Sequence, residues 1–539
     1  MPTPNAHGGA QLVPINLTSP AFAGLNTEQD ASILGVEWAT ILRNAVFDSA
    51  GRPASRKGWQ SQTVTPVAGA IKRIFEYYKA DGSSEIISTT DADIFTGVSA
   101  PATIEGSLAI TDGNIKFVNF NDFCIGFGIG TGGIPAVYNG TGTFADITVN
   151  SGTAPTGRIG TAAFGRLWGV DTDGKTIRYS ALLDYTRWAE ADGGGIIDMS
   201  SVWPAGQDSV IAITEFGGDL VVFGKNTTVI WTDGQGSSLG IDPTTLYVSD
   251  TIPGVGAVSQ FAMCRSASDF WVLTHSGVVG LQRELVQRST ATTNISKNVQ
   301  SFLLSQLATQ GNDIDDISME YSPNEDFVLV AFPASSVVLH FDTQTPMQDG
   351  AVRATSWRVG TGLMALAYIR QGKILYGALS GLDGEICQYT GNDDGGESYN
   401  FVYESGWLDL GQEVSQYIKI VKRLTSFVVV EANTNVVHTI QFDFGRQSFS
   451  LNKSAEGGSV SEFGIAEFGA DGSRDPGDPS LTPGVDVAEF SGSFALRTLK
   501  VPGKGSGQFI KIGILVDTNS ASFALQQINL FAKIGRMAA

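Results

Sequence analysis

The chain is 539 residues long, beyond the roughly 250–300 at which a single hydrophobic core stops growing, so several domains or one large closed assembly are expected. Only 16% of its residues are charged, against roughly 25% in ordinary soluble proteins, while 65 are glycine and 42% are hydrophobic; wholesale disorder is excluded and a turn-rich all-β protein is favoured. Basic residues number 34 against 54 acidic ones, a net charge of −20 that excludes a surface built to grip nucleic acid, whose affinity comes from basic groups displacing counterions, but suits a wall that DNA slides past.

The opening MPTPNAHGGAQLVP has neither the basic nor the apolar region of a signal peptide. No run approaches the roughly 18 apolar residues of a membrane span, so a chain made and folded in the cytoplasm is expected. Cys124, Cys264 and Cys387 lie far apart, each in or beside an apolar strand. They read as buried thiols, and no disulfide framework is implied. Residues 1–60 read as an N-terminal extension or docking segment, in which 31–47 fits a short helix and two strands equally well. Gly58-Trp59 leads into the first repeat unit.

From residue 61 to about 400 the chain repeats a pattern. Short apolar strands of four to six residues alternate with Gly, Asp and Asn turns, the signal of consecutive hairpins. The stretch 177–234 shows one cycle: Ser209–Thr214, the turn Gly217-Gly218-Asp219, Leu220–Gly224, and Thr228–Thr232 closing on Asp233-Gly234. Units begin near residues 70, 107, 160, 209, 257, 315 and 364, a spacing of roughly 40–60 residues that matches propeller blades. A sheet this small cannot bury both faces alone, so neighbours must stack, and radial stacking closes a ring. A β-propeller of about seven blades is predicted, with six and eight as close alternatives and a pair of β-sandwiches as the competing architecture.

After Gly395 the strands lengthen and alternate more clearly, as in 417–430 and 436–444, which predicts an antiparallel β-sandwich or jelly roll over 401–539. Residues 453–492 form a loop too long for a passive connector in a compact domain. Its Phe463, Phe468 and Phe490, each beside a carboxylate, are the candidate partner contacts, with packing of the loop on its own sheet as the alternative.

Tests for chemistry give little. Gly128-x-Gly130-x-x-Gly133 matches the dinucleotide fingerprint in letters, but 134–138 continue as strand where the motif needs a helix to meet the pyrophosphate. Gly224-Lys225 lacks the upstream glycine of a phosphate loop. Asp171-x-Asp173-Gly174 lacks the distal ligands of a calcium loop and reads as a hairpin turn. His7, His275, His340 and His438 show no metal-ligand spacing. The pairs Asp315-Asp316, Glu325-Asp326 and Asp393-Asp394 sit beside turns and are expected to face solvent. No catalytic, cofactor-binding or metal residue is assigned, and no cofactor is expected. A glycosidase pair at one end of a propeller channel is the enzymatic alternative.

The segment Arg178-Tyr179-Ser180 with Asp184-Tyr185-Thr186-Arg187-Trp188 resembles a passage in tail proteins of short-tailed bacteriophages. The likeness continues through Ile211–Ile213, Leu220–Gly224, Val229–Trp231, Gly254–Ala257 and Trp271–Val278, and is strongest over 160–285. The resemblance implies a tail nozzle or hub: a propeller with further β domains, six copies in a ring that extends the DNA channel. It further implies a portal-adaptor protein above, a fibre, needle or receptor-binding protein below, and DNA passing without sequence-specific binding. The alternative class is a propeller that binds or cleaves polysaccharide.

Overall fold

The computed structural model describes residues 12–537 apart from 204–207, 234–240, 267–268, 282–294, 348–349, 361, 411–414, 458–494 and 519–520. The chain is all-β and divides into two units: Trp59–Val352 with Val359–Tyr389, and Met1–Gly58 with Arg353–Arg358 and Thr390–Ala539. Thus the N-terminal segment, expected to stand apart, groups with the C-terminal strands. Among the described residues no helix is long and apolar enough to cross a membrane.

The larger unit is a β-propeller. Its fourth blade shows how sequence becomes sheet: Val210–Phe216, Asp219–Gly224, Thr227–Asp233 and Leu246–Pro253 pair antiparallel in chain order. Gly217 and Gly218 both take positive φ, 66° and 89°, which lets the first hairpin reverse in two residues. Side chains along a strand alternate between faces. Leu220 and Val222 therefore enter a core shared with Trp168, Ile177 and Tyr179 of the third blade. Val221 and Phe223 enter the next one, with Phe270 and Val272 of the fifth. Each blade is glued to both neighbours by alternate residues of the same strands.

Four-stranded blades span 73–103, 117–146, 160–198 and 210–253, and a three-stranded one spans 263–280. A further sheet combines Leu363–Ile369, Ile374–Leu379 and Cys387–Tyr389 with Trp59–Ser61. Among the described residues the self-contained blades number six, against about seven expected. The remaining place is taken by the meander Ser318–Ser322, Phe327–Phe332, Val337–Asp342, whose Phe341 meets Trp271 and whose Phe327 meets Tyr389, on the blades to either side. The ring closes through Ile71 and Ile74 against Ala365, Ala367 and Ile369.

Trp59 corrects one expectation. It does not open the first blade but forms the outer strand of the last, fully buried against Tyr389 at 5.2 Å. A three-residue strand has no hairpin partner nearby in sequence, so it completes a distant edge. Gly377 makes room for it: a Cβ there would stand 2.7 Å from the Trp59 ring. The described residues also include a helix, Gln300–Gln310, for which no element was predicted.

The smaller unit holds two facing antiparallel sheets. One runs Ala495–Pro502, Tyr417–Val430, Phe523–Met537, Pro53–Ser55, Ala45–Phe47, with Val13–Thr18 and Ser506–Gly507 attached. The other contains Ile41–Arg43, Asn400–Glu404, Ile510–Asp517, Thr434–Phe442 and Gln447–Ala455. Phe401 and Phe523 meet between them at 5.1 Å, as do Ser426 and His438. The ambiguous stretch 31–47 contains short strands, Trp38–Ala39, Ile41–Arg43 and Ala45–Phe47.

Three pieces of chain in this unit are stitched by Arg56. Its guanidinium is fully buried and uses all five donors: Nε on Asn44 Oδ1 at 3.3 Å, Nη1 on the Lys57 carbonyl and Asp394 Oδ1 at 2.8 Å each, Nη2 on the Arg358 carbonyl at 3.2 Å and Asp394 Oδ2 at 2.5 Å. It stacks 3.9 Å from the Tyr399 ring. Asp394, expected to face solvent, is buried because this fork demands a carboxylate.

Candidate functional site

The first strand of each blade is innermost, and neighbouring first strands pack on one another. Three cavities lie along the axis they enclose. At the C-terminal ends of these strands is a vestibule of about 580 Å³ lined by Glu76, Tyr78, Asn119, Arg265, Tyr321 and Arg370 among others. Through Ile74, Phe75 and Glu320 it adjoins a waist of about 160 Å³. Through Gln260 the waist adjoins a second vestibule of about 530 Å³ at the N-terminal ends of the strands.

Charge gathers at the waist. Arg73 is buried, lies 3.8 Å over the Phe261 ring, and donates through Nη2 to the Asp315 carbonyl and through Nη1 to that of Ile317 at 3.5 Å. Desolvation pushes its guanidinium down to about 10, against the pull of Asp316, Asp315 and Asp112. Lys116 is likewise pushed down by burial and by Arg73, with Glu320 opposing. Burial drives the Glu320 carboxyl up to about 7, and a hydrogen bond from the Tyr321 backbone together with Arg370 and Lys116 offsets only part of this. The Arg73 Nε and Gln260 Oε1 atoms are buried without a hydrogen-bond partner.

Asn114 Oδ1, at the rim of the second vestibule, is likewise buried without a hydrogen-bond partner, while the carboxylates at the two mouths are hydrogen-bonded. Glu76 accepts from Tyr78 Oη at 2.5 Å and the Arg370 N–H at 2.7 Å through one oxygen, and from Ser84 Oγ at 3.2 Å and the Gln371 N–H at 3.1 Å through the other. At the opposite mouth Asp316 accepts from Lys72 Nζ at 3.1 Å and Asn114 Nδ2 at 2.7 Å, and Asp315 from Ser259 Oγ at 2.6 Å. The Asp315-Asp316 pair, expected to face solvent, has Asp315 exposed and Asp316 half-buried at this mouth.

Phe463, Phe468 and Phe490 lie outside the described residues. The Gly128–Gly133 loop ends in a single 3₁₀ turn, Thr131–Gly133, and returns as the strand Ala136–Tyr138, so no helix N-terminus faces it. Asp173 closes its hairpin by accepting from the Lys175 and Thr176 N–H groups at 2.8 and 2.9 Å. Cys124, Cys264 and Cys387 are buried and form no disulfide. His340 is buried with its ring 4.9 Å from Phe327. Among the described residues no group of three His, Cys, Asp or Glu side chains could hold a metal ion.

The passage 178–188 is an inter-blade staple. Ser180 Oγ accepts from the Leu167 N–H at 3.0 Å, and Asp184 Oδ1 accepts from the Thr186 N–H at 2.8 Å and Oγ1 at 2.6 Å. Trp188 is buried in the core between the second and third blades, donating its Nε1–H to the Tyr185 carbonyl at 2.9 Å.

No family model matches the chain, and no curated protein matches it. Among solved structures it is similar to the WD40 domain of Neurospora crassa Pan2, at 10% identity and a TM-score of 0.36, over 62% of this chain and 96% of that one. It is also similar to YCF48 bound to a D1 peptide, at 9% identity and a TM-score of 0.35, over 62% and 98%. An auxiliary nutrient binding protein from Bacteroides thetaiotaomicron is similar at 8% identity and a TM-score of 0.32, over 70% and 76%. At these identities the likeness is one of fold only.

Proposed function

We propose that the chain is a structural virion protein, one protomer of the tail nozzle or hub ring of a short-tailed bacteriophage. Six copies form a ring below the portal-adaptor, dock a fibre, needle or receptor-binding protein at the far end, retain the genome, and let it pass at infection. Its role is architectural and not catalytic. The observation that carries this reading is the 178–188 passage, where the resemblance is most specific. Every polar side chain named there serves the backbone or a neighbouring turn, as a rigid building part requires. The net charge of −20 suits a conduit that DNA must not adhere to. Native mass spectrometry and electron microscopy of the purified protein test it: sixfold rings are expected, and a strict monomer at high concentration overturns it.

A second reading, a carbohydrate-binding propeller, is favoured by the axial vestibule, where Tyr78, Tyr321 and Tyr368 stand beside charged groups. Glycan binding by a monomer would replace the first reading with this one.

A further inference from the structure

The waist of the propeller axis goes beyond the ring reading and does not depend on it. Three of its polar groups have unused capacity. Lys116 makes no ion pair within 4 Å among the described residues, although it and Glu320 are close enough to influence each other. Arg73 Nε, a donor, and Gln260 Oε1, an acceptor, are buried and unpartnered, and each residue is only 7% exposed. A fold does not leave a cation, a donor and an acceptor unmatched around one enclosed space without cost, since each forfeits its hydration. In the two vestibules Glu76, Asp315 and Asp316 are hydrogen-bonded, and Asn114 Oδ1 on the rim is a further buried acceptor without a partner.

We propose that the waist is a binding site for a small carboxylate bearing hydroxyl groups, of the hydroxy-acid or uronic-acid class. The carboxylate takes Lys116 and the Arg73 Nε–H, and a ligand hydroxyl donates to Gln260 Oε1. Phe75 and Phe261 form apolar walls, and the about 160 Å³ available suits the acid end of such a molecule, with the about 580 Å³ vestibule above it for the remainder. Sulfate, which carries no O–H near neutral pH, would satisfy the donors and leave Gln260 Oε1 unmatched; a neutral sugar would leave the Lys116 charge without a counter-charge.

Glu320 tunes the site. Charged groups facing it are Lys116 and Arg73 from the first two blades, Arg370 and Arg265 at the vestibule, and Glu76 across it; the Cys264 thiol behind it is held protonated by burial. With its carboxyl protonated it cannot repel the ligand's carboxylate, and ionised it does.

Titration calorimetry of the full chain with D-glucuronate at pH 6 and pH 8, with D-glucose and sodium sulfate as comparisons, tests the site. Glucuronate is expected to bind, at least about fivefold more tightly at pH 6 than at pH 8. Lys116→Met should weaken it about tenfold or more, the scale of one charge-assisted hydrogen bond. Glu320→Gln should bind at pH 8 as wild type does at pH 6, a gain that a misfolded variant cannot produce. Absence of glucuronate binding, unchanged binding by Lys116→Met, or equal binding of glucose or of sulfate would each overturn the proposal. Particle mass reads the ring independently, so failure here leaves the ring reading standing and failure there leaves this one.

Discussion

The two units bury charge in opposite ways. In the smaller one, Arg56 faces backbone and carboxylate partners that take every one of its donors, and Lys419 Nζ donates to the Gln508 carbonyl at 2.8 Å and that of Ser415 at 3.3 Å. In the propeller, Arg73, Lys116 and Glu320 converge on an axial space and stay incompletely matched. A sandwich core is solid, and the Arg56 guanidinium is held there because neighbours from three pieces of chain close around it. A ring of inner strands leaves a hole by construction, so polar groups can face it and await something else.

The largest effect should come from breaking the closed arrangement. Arg56→Met strands the buried Asp394 carboxylate without its partner, and a loss of about 3–5 kcal/mol is expected in denaturant unfolding of the full chain. Arg56→Lys should recover little, because an ammonium cannot reproduce the fork to Asp394 while serving Asn44 and two carbonyls. Adding Asp394→Leu to Arg56→Met should restore part of the loss. If the double variant is no better than the single one, the pair matters for packing and not for charge.

Next is the seam that closes the propeller. Trp59→Ala removes a fully buried ring that lies against Tyr389, and a cost of about 3–5 kcal/mol is expected. Limited proteolysis should then cut near residues 59–63 first. Cleavage elsewhere, with an intact N-terminal strand, would show that the ring holds without this strap.

These two sites also mark what could be read from the chain alone. Hairpins were legible, since each is written in a few consecutive residues: Val210–Phe216 and Asp219–Gly224 were both expected within two residues of their observed ends. The strand Trp59–Ser61 was misplaced because its partner, Cys387–Tyr389, lies more than 300 residues away and nothing local announces it. Asp394 was misread for the same reason, being beside a turn in sequence but beside Arg56 in space. The waist was half visible. Arg73, Lys116 and Glu320 each interrupt an apolar first strand of a unit, a recurrence the sequence contains. Their convergence depends on register around the ring, which no single blade encodes.

Proton linkage should separate the units further. His438, its Nε2 2.8 Å from Ser426 Oγ, is pushed down from 6.5 to about 4 by burial. The fold accepts the neutral ring, so this contribution is complete above pH 6.5 and lost as pH falls toward 4, about 3 kcal/mol at most. Glu320 has the opposite sign. Its carboxyl, raised from 4.5 to about 7, favours the protonated form in the fold, so its contribution is complete below pH 4.5 and lost as pH rises through 7. Because the side chain opens on the channel, about 1–2 kcal/mol is a fair ceiling. Between pH 4.5 and 6.5 the propeller should therefore lose stability with rising pH while the sandwich gains it. Calorimetry over that window should show the two transitions shifting in opposite directions. His438→Gln should flatten the one and Glu320→Gln the other; parallel shifts in the wild type would mean that neither group governs its unit.

The smallest effect concerns the staple on which the ring proposal rests. Asp184 accepts two hydrogen bonds from Thr186 at a half-buried turn, and Asp184→Ala should cost about 1 kcal/mol, a typical value for one lost side-chain cap. Leu182 and Leu183, exposed by 38% and 55%, flank that turn and make no comparable demand on the fold. If 178–188 is scaffold, Asp184→Ala lowers the melting temperature slightly and leaves particle mass unchanged, whereas Leu183→Asp leaves the melting temperature unchanged. If instead Asp184→Ala dissociates the assembled particles without altering the melting temperature, the passage is a contact between copies. The resemblance to tail proteins would then lie in an interface and not in the blades that frame it.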